Sequence, residues 1–350
     1  MKKSLLIGNG ININFGGKAY SNQFIIKRII FNARAGKYDL LFNRKISGEQ
    51  IEEVFLNLAE LANAISRGEC DSVVTTEEIP LLEDFKRRYS KKVEHYYDVG
   101  LEDWLFILHI FFLKNDDLKN IWRPVKYSFE QMMLDAIYND GDIQKIYLSM
   151  GKPAKRWLEQ YDEIFTLNYD NNVESLIKKP VFHLHGDYST PANSENPNTI
   201  LGYQRTEAHQ TVVVPGFEHC YCNALFDYRG ENKLQVADGF ERGKESVKRL
   251  SDSGVPASVF PTPAAGLVQT HREHPELEIA PTYHFDEFRK LDGEIHIIGM
   301  SPNNDGHIFK LIDQSTVDKV VFYFYSESEK KQKLPLHQKV EYRSAPDLWK

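Results

Sequence analysis

One stretch constrains the fold of this chain more than any other, DEIFTLNYDNNVESLIKKPVFHLHGD at 162–187. Two short apolar runs, at 164–167 and 181–184, are typical of buried strands, and the polar segment between them is typical of a short helix. Asn-Tyr-Asp follows the first run and His-Gly-Asp follows the second. Because open α/β sheets bind ligands at the carboxyl ends of their strands, we expect these polar residues to line one nucleotide site.

A second candidate for the same site lies at the start of the chain. The run KSLLIG at 3–8 predicts a buried parallel strand, and GNG at 8–10 predicts a tight turn. A glycine-rich turn after the first strand is where a dinucleotide phosphate lies, because backbone N–H groups can approach it closely. GNG lacks a third glycine at the expected spacing, so on its own it is equally compatible with an ordinary strand-to-loop turn.

Residues 20–159 repeat apolar residues at helical spacing and carry no comparable strand pattern. Ser47 and Gln50 predict a capping box at the start of one of these helices. An aromatic group centred on Trp104, Phe106, Phe111 and Phe112 is typical of a packed core. We therefore predict a large helical insertion between the first two strands of the sheet.

The rest of the chain alternates strand and helix patterns. TILGYQ at 199–204 predicts a short strand, 230–254 is partly helical, and 254–276 reads as an extended, proline-bearing segment. Strands are predicted near 294–299, 319–325 and 339–343, with helices at 285–292 and 305–313 and a solvated loop at 326–333. This alternation predicts an α/β, Rossmann-like parallel sheet formed by 1–19 and 160–350, with 20–159 as the helical insertion.

Net charge, the length of the apolar runs and the cysteine count indicate which partners and which compartment to expect. The formal net charge of −7 argues against broad nucleic-acid binding. The apolar run at 104–113 is far shorter than a membrane helix, so we expect no membrane contact. Three cysteines are too few for a disulfide framework, which leads us to expect a reduced, cytoplasmic protein.

Two clusters superficially suggest metal ions. His183 and His185 form His-x-His on a predicted strand, and His219 adjoins Cys220-Tyr221-Cys222. Neither cluster has the further ligands that a zinc site needs, so we expect no metal. We expect Gly186 to leave the His185 ring open to a crevice, where an imidazole can take a proton near neutral pH.

Two further residues, Asn168 and Ser301, need an alternative interpretation to be weighed beside the functional one. An asparagine at a strand end often caps the next helix, but residues 170–172 can each do this, so Asn168 is available to bind a ribose hydroxyl or a water. Ser301 lacks the glycine pattern of a nucleophile elbow, so we do not interpret it as a hydrolase serine.

Four motifs occur in the order found in the sirtuin-like family: GNG at 8–10, NYD at 168–170, HG at 185–186 and GMS at 299–301. TLNYD, HLHGD and GMSPNND most resemble the bacterial sirtuin-like NAD hydrolases of antiphage defence, and IGNG, HLHGD and TILGY also resemble AbiH-type abortive-infection proteins. The resemblance covers 1–18, 160–205 and 290–326. The chain lacks the proline-phenylalanine-arginine loop and the four-cysteine zinc module of deacylating sirtuins, which puts protein deacylation in doubt.

The resemblance implies a role for each matched residue. Asn168 and His185 correspond to the catalytic pair, and Asp170 to the aspartate at the nicotinamide end. The glycine turn corresponds to the phosphate and ribose contacts, and the late G-x-S motif borders the adenosine. The expected NAD contacts are Gly8, Asn9, Gly10, Ile11, Asn12, Tyr169, Asp170, Gly299, Ser301, Asn303 and Asp305.

The resulting expectation is an NAD hydrolase that releases nicotinamide and ADP-ribose, with NAD as its substrate and NAD depletion in abortive infection as its role. It implies a homo-oligomer or a complex with a separately encoded defence partner. A nucleotide-binding module without turnover is the alternative, followed by a deacylase or ADP-ribosyl transferase.

Overall fold

The computed structural model describes residues 2–209, 213–301 and 304–349. The chain divides into two compact units. We call 1–15 with 144–350 the sheet unit and 16–143 the helical unit. The segment 144–159, which the sequence pattern placed in the helical insertion, lies in the sheet unit.

The sheet unit contains one six-stranded sheet whose paired strands are all parallel. Its strands are β1 Lys3–Ile7, β2 Glu163–Thr166, β3 Phe182–His183, β4 Asp292–Ile298, β5 Thr316–Phe324 and β6 Lys339–Ser344. The order is β3-β2-β1-β4-β5-β6, so the predicted α/β parallel sheet is confirmed. This is the Rossmann order, in which the direction of winding reverses between β1 and β4.

The helices run along the chain in the order α1 Gly10–Gly16, α2 Asn22–Arg34, α3 Gly48–Ser66, α4 Ile79–Arg88, α5 Asp103–Lys114, α6 Trp122–Tyr138, α7 Lys152–Leu158, α8 Asn172–Ile177, α9 Ile200–Glu207, α10 Glu231–Asp252, α11 Ala264–Glu273, α12 Phe285–Arg289, α13 Gly306–Gln314 and α14 Glu327–Lys330. Short 3₁₀ segments lie at Lys18–Tyr20, Asp71–Val73, Tyr96–Asp98, Asp116–Ile121, Asn139–Ser149, Glu218–Cys220, Ala257–Val259 and Pro346–Trp349.

Strands β1 and β4 are buried on both faces, as their nearly continuous apolar runs require. Leu5, Leu6 and Ile7 are fully buried, and Ile295 and Ile297 pack in the main core with α12 and α13 residues such as Phe288. Parallel pairing to β2 and β4 on either side leaves the carboxyl end of β1 at the centre of the sheet. The sheet thus brings the turn after β1 next to the turns after β2 and β4.

Three local predictions between β3 and β6 are wrong. Residues 200–207 form α9, because the Thr199 hydroxyl caps the helix by accepting a hydrogen bond from the Gly202 N–H. The segment predicted as extended contains Ala257–Val259 and α11, which begins after Pro263, a residue that suits helix starts. Part of the charged run at 326–333 forms α14, capped by Ser326.

The helical unit has its own aromatic core. Phe55 contacts Trp104 at 4.7 Å and Phe129 at 5.1 Å between ring centroids, and Trp104 is fully buried. The predicted capping box is confirmed, because Ser47 and Gln50 exchange side-chain to backbone hydrogen bonds at the start of α3. Among the described residues, none of the helices is long and apolar enough to span a bilayer.

Candidate functional site

The turns after β1 and β4 meet in direct backbone contact at the switch point of the sheet. The Gly8 N–H donates to the Ile298 carbonyl and the Gly10 N–H donates to the Gly299 carbonyl, both at 2.9 Å. Gly299 has a φ of +74°, which favours glycine, and a Cβ on Gly10 would lie 2.5 Å from the Gly299 Cα. The glycines thus serve close packing of two strand ends, and two N–H groups of the predicted phosphate turn already have partners.

The turns after β1 and β2 are joined by a buried amide–carboxylate pair. The Asn12 Nδ2 donates to Asp170 Oδ2 at 2.6 Å, and Asp170 Oδ1 accepts hydrogen bonds from the backbone and side-chain nitrogens of Asn172. Burial raises the pKa of Asp170, although these donors oppose the shift. The Asn12 Oδ1 is buried without a hydrogen-bond partner among the described residues.

Asn168 lies in the turn after β2 and contacts the turn after β1. Its Nδ2 donates to the Gly8 carbonyl at 3.4 Å, and its N–H donates to the Thr166 hydroxyl at 3.1 Å. Asn171 occupies the position before α8, so Asn168 does not cap that helix. Asn168 is only 8 % exposed, so it lies at the strand end as predicted but is largely enclosed.

His183 and His185 have separate partners. The His183 Nδ1 contacts the Asn168 carbonyl at 3.0 Å and its Nε2 contacts Glu174 Oε1 at 2.5 Å. Burial lowers the pKa of His183, but the hydrogen bond and charge of Glu174 outweigh burial and raise the pKa overall. His183 therefore braces the Asn168 loop against α8.

The expectation that His185 faces an open crevice is wrong, because its residue is only 3 % exposed. Gly186 has a φ of +80° and turns the chain against Asn223, whose carbonyl would lie 2.3 Å from a Cβ at position 186. The Leu225 N–H donates to the His185 carbonyl at 2.8 Å, so the segment after 222 covers the histidine.

Two residues that the sequence reasoning missed surround the His185 ring. Its Nε2 lies 3.2 Å from His307 Nε2, and its Nδ1 lies 3.4 Å from Lys233 Nζ. Burial, with Lys233 and His307 adding to it, lowers the pKa of His185 well below its ordinary value. Burial and the charge of Lys233 lower the pKa of His307 to about 3. Both imidazoles are therefore neutral at physiological pH.

The other predicted NAD contacts lie in the same turns. Ile11 is buried in α1, and Asn9 accepts a hydrogen bond from the Ile13 N–H at 3.1 Å. The Tyr169 carbonyl accepts from the Tyr188 N–H at 2.9 Å. The carbonyls of Ser301 and Asp305 accept backbone hydrogen bonds at the start of α13. Asn303 lies outside the described residues.

No group of three or more histidine, cysteine, aspartate or glutamate side chains in the described part of the chain could hold a metal ion. The three cysteines are buried and unbridged.

No protein-family model, no curated protein and no solved structure matches this chain. Any functional interpretation therefore depends on the fold, the geometry at the strand ends and the motifs.

Proposed function

We propose that this protein is an NAD hydrolase that cleaves the nicotinamide–ribose bond with water and acts in antiphage defence by depleting NAD. The observation that carries the proposal is the placement of the motif residues. Gly8–Asn12, Asn168–Asp170, His185 and Gly299–Ser301 all follow the carboxyl ends of β1, β2, β3 and β4, around the switch point of a Rossmann-ordered sheet. Dinucleotides bind at this position in such sheets.

The proposed reaction breaks the bond between the nicotinamide nitrogen and ribose C1′ and forms a bond from water oxygen to C1′. The products are nicotinamide, ADP-ribose and a proton, and positive charge develops on the ribose in the transition state. Asn168 is the proposed group that orients the ribose and the water. Its amide already lies within 3.4 Å of the Gly8 carbonyl, so it is held between the first two turns.

The resemblance makes His185 the proton acceptor, directly or through a ribose hydroxyl, and this role stays a prediction. Both ring nitrogens lie within 3.4 Å of a polar neighbour, so accepting a proton requires one contact to open. The burial of His185 also favours the second candidate function, a nucleotide-binding module that does not turn over.

Incubation of the purified chain with NAD tests the proposal. We expect nicotinamide and ADP-ribose to appear in equal amounts, measured by chromatography, with the Asn168→Ala variant as the negative control. Tight NAD binding without either product supports the binding module instead. Absence of both binding and products contradicts the assignment of this site to NAD.

A further inference from the structure

Three buried side chains form a hydrogen-bonded chain beneath the strand ends. His185 lies after β3, Lys233 lies in the first turn of α10, and His307 lies in the first turn of α13. Their exposures are 3 %, 1 % and 4 %. Lysine is almost never fully buried unless it is paired, and the side chains of Lys233 and His185 contact each other here.

The lysine decides which nitrogen of His185 carries the proton. A lysine ammonium has three donors and no acceptor. Its Nζ lies 3.4 Å from His185 Nδ1, so this nitrogen must present its lone pair. Because the buried ring is neutral, its single proton is on Nε2.

The proton of His185 in turn fixes the tautomer of the second ring. The His185 Nε2–H points at His307 Nε2, 3.2 Å away, which must accept. The neutral His307 ring therefore carries its proton on Nδ1. That nitrogen is buried and has no hydrogen-bond partner among the described residues. Native proteins rarely leave such a donor unpaired, which points to an acceptor supplied by a ligand.

We propose that the His307 Nδ1–H donates a hydrogen bond to an anionic oxygen of a bound ligand, and that Lys233 and His185 hold His307 in this donor tautomer. His307 would contact the ligand, Lys233 is a positioning residue, and His185 positions His307 in addition to the proton-acceptor role proposed for it above. The ammonium at the far end polarises the chain of hydrogen bonds toward an anionic acceptor.

The identity of the ligand rests on the proposed function. His307 follows β4, whose carboxyl end meets the glycine turn of β1 at the switch point. For NAD or ADP-ribose, the anionic oxygen at this place is a diphosphate oxygen. A free inorganic diphosphate offers the same chemistry and is a separate arm of the test.

The first measurement uses the unmodified chain, with its histidines labelled with ¹⁵N. We expect the NMR spectrum to assign the proton of His185 to Nε2 and that of His307 to Nδ1. Addition of ADP-ribose, which is not hydrolysed further in the proposed reaction, should shift the His307 Nδ1 signal. A His307 proton on Nε2, or no shift with bound ADP-ribose, overturns the proposal.

The second measurement compares two amide variants by calorimetric titration with ADP-ribose and, separately, with diphosphate. His307→Asn keeps an N–H donor near the Nδ1 position, whereas His307→Gln places its amide near the Nε2 position. We expect Kd to stay within about threefold for His307→Asn and to rise about 10- to 100-fold for His307→Gln. Equal affinities for wild type and His307→Gln overturn the proposal.

The outcomes distinguish failure of the His307 donor site from failure of the proposed NAD hydrolysis. If ADP-ribose binds and shifts His307 but NAD is not cleaved, the donor site stands and hydrolysis fails. If NAD is cleaved but the His307→Gln variant binds ADP-ribose like wild type, only the donor site fails. Binding of diphosphate alone identifies a phosphate site without a nucleoside, and binding of neither probe overturns the ligand assignment.

Discussion

Asn168 is the residue whose substitution best separates the proposed catalysis from the proposed binding of NAD. The Asn168→Ala variant loses an oriented neutral amide and leaves no unpaired charge. If the amide stabilises the transition state, kcat should fall about 10²- to 10³-fold while the Kd for NAD changes much less. Nicotinamide release and equilibrium titration with NAD measure the two quantities.

Asn171→Ala is the matched control for this prediction. Asn171 lies in the same loop, but its amide donates to the Ser189 hydroxyl at 2.5 Å, whereas the Asn168 amide donates to the Gly8 carbonyl. We expect wild-type kcat for this variant. Wild-type turnover in Asn168→Ala, or equal losses in both variants, contradicts the role of Asn168.

At the scale of elements, the contact between the turns after β1 and β4 makes a prediction about stability. A Cβ at position 10 would lie 2.5 Å from the Gly299 Cα, which is backbone and cannot rotate away. We expect Gly10→Ala to lower the free energy of unfolding by about 1–3 kcal/mol, the usual cost of overpacking. Denaturant unfolding monitored by circular dichroism measures this change.

The same substitution at Gly243 provides a control of opposite sign. Gly243 lies inside α10, and a Cβ there meets nothing within 4 Å. Gly243→Ala should therefore raise the free energy of unfolding by about 0.5–1 kcal/mol through helix propensity. A neutral Gly10→Ala would show that the two turns separate easily.

An element of this fold is predictable from the sequence when its own residues carry the pattern that specifies it. β1 and β4 are predictable because uninterrupted apolar runs are typical of strands buried on both faces. α9 is not predictable in this way, because the short apolar pair at 200–201 is also typical of a strand. In the structure, Thr199 caps the segment that follows it as a helix. Asn168 and His185 can be selected as candidate site residues from the sequence, because each comes just after a predicted strand. Lys233 and His307 cannot, because they lie 48 and 122 residues from His185 and meet it only through the tertiary fold.

At the scale of the whole molecule, two buried histidines of the sheet unit and one buried aspartate of the helical unit contribute to stability with opposite dependence on pH. In the sheet unit, burial lowers the pKa of His307 to about 3 and that of His296 to about 4. In the helical unit, burial raises the pKa of Asp103 to about 6, against the opposing charge of Arg88. A lowered histidine pKa makes the unfolded chain bind more protons, whereas the raised Asp103 pKa makes the folded chain bind more.

The histidines therefore contribute fully above their ordinary pKa of 6.5, and their contribution is lost as the pH falls toward 3. The Asp103 contribution has the opposite sign, since it is full below 3.8 and is lost as the pH rises through about 6. Each group contributes a slope of at most about 1.4 kcal/mol per pH unit. Acidification from about pH 6.5 to 5 thus lowers the contributions of His307 and His296 to the stability of the sheet unit.

The His307→Asn variant lacks the buried, titratable imidazole of residue 307 and therefore tests this prediction. Between about pH 6.5 and 5, the free energy of unfolding of the sheet unit should fall more steeply in wild type than in the variant, by about 1 kcal/mol per pH unit. Hydrogen exchange followed by mass spectrometry reports the sheet and helical units separately. Above about pH 8 the difference between the two proteins should be constant, because the imidazole is neutral in both states. Parallel slopes from pH 6.5 to 5 would mean that His307 is hydrated in the folded chain, which would also remove the basis for its fixed tautomer.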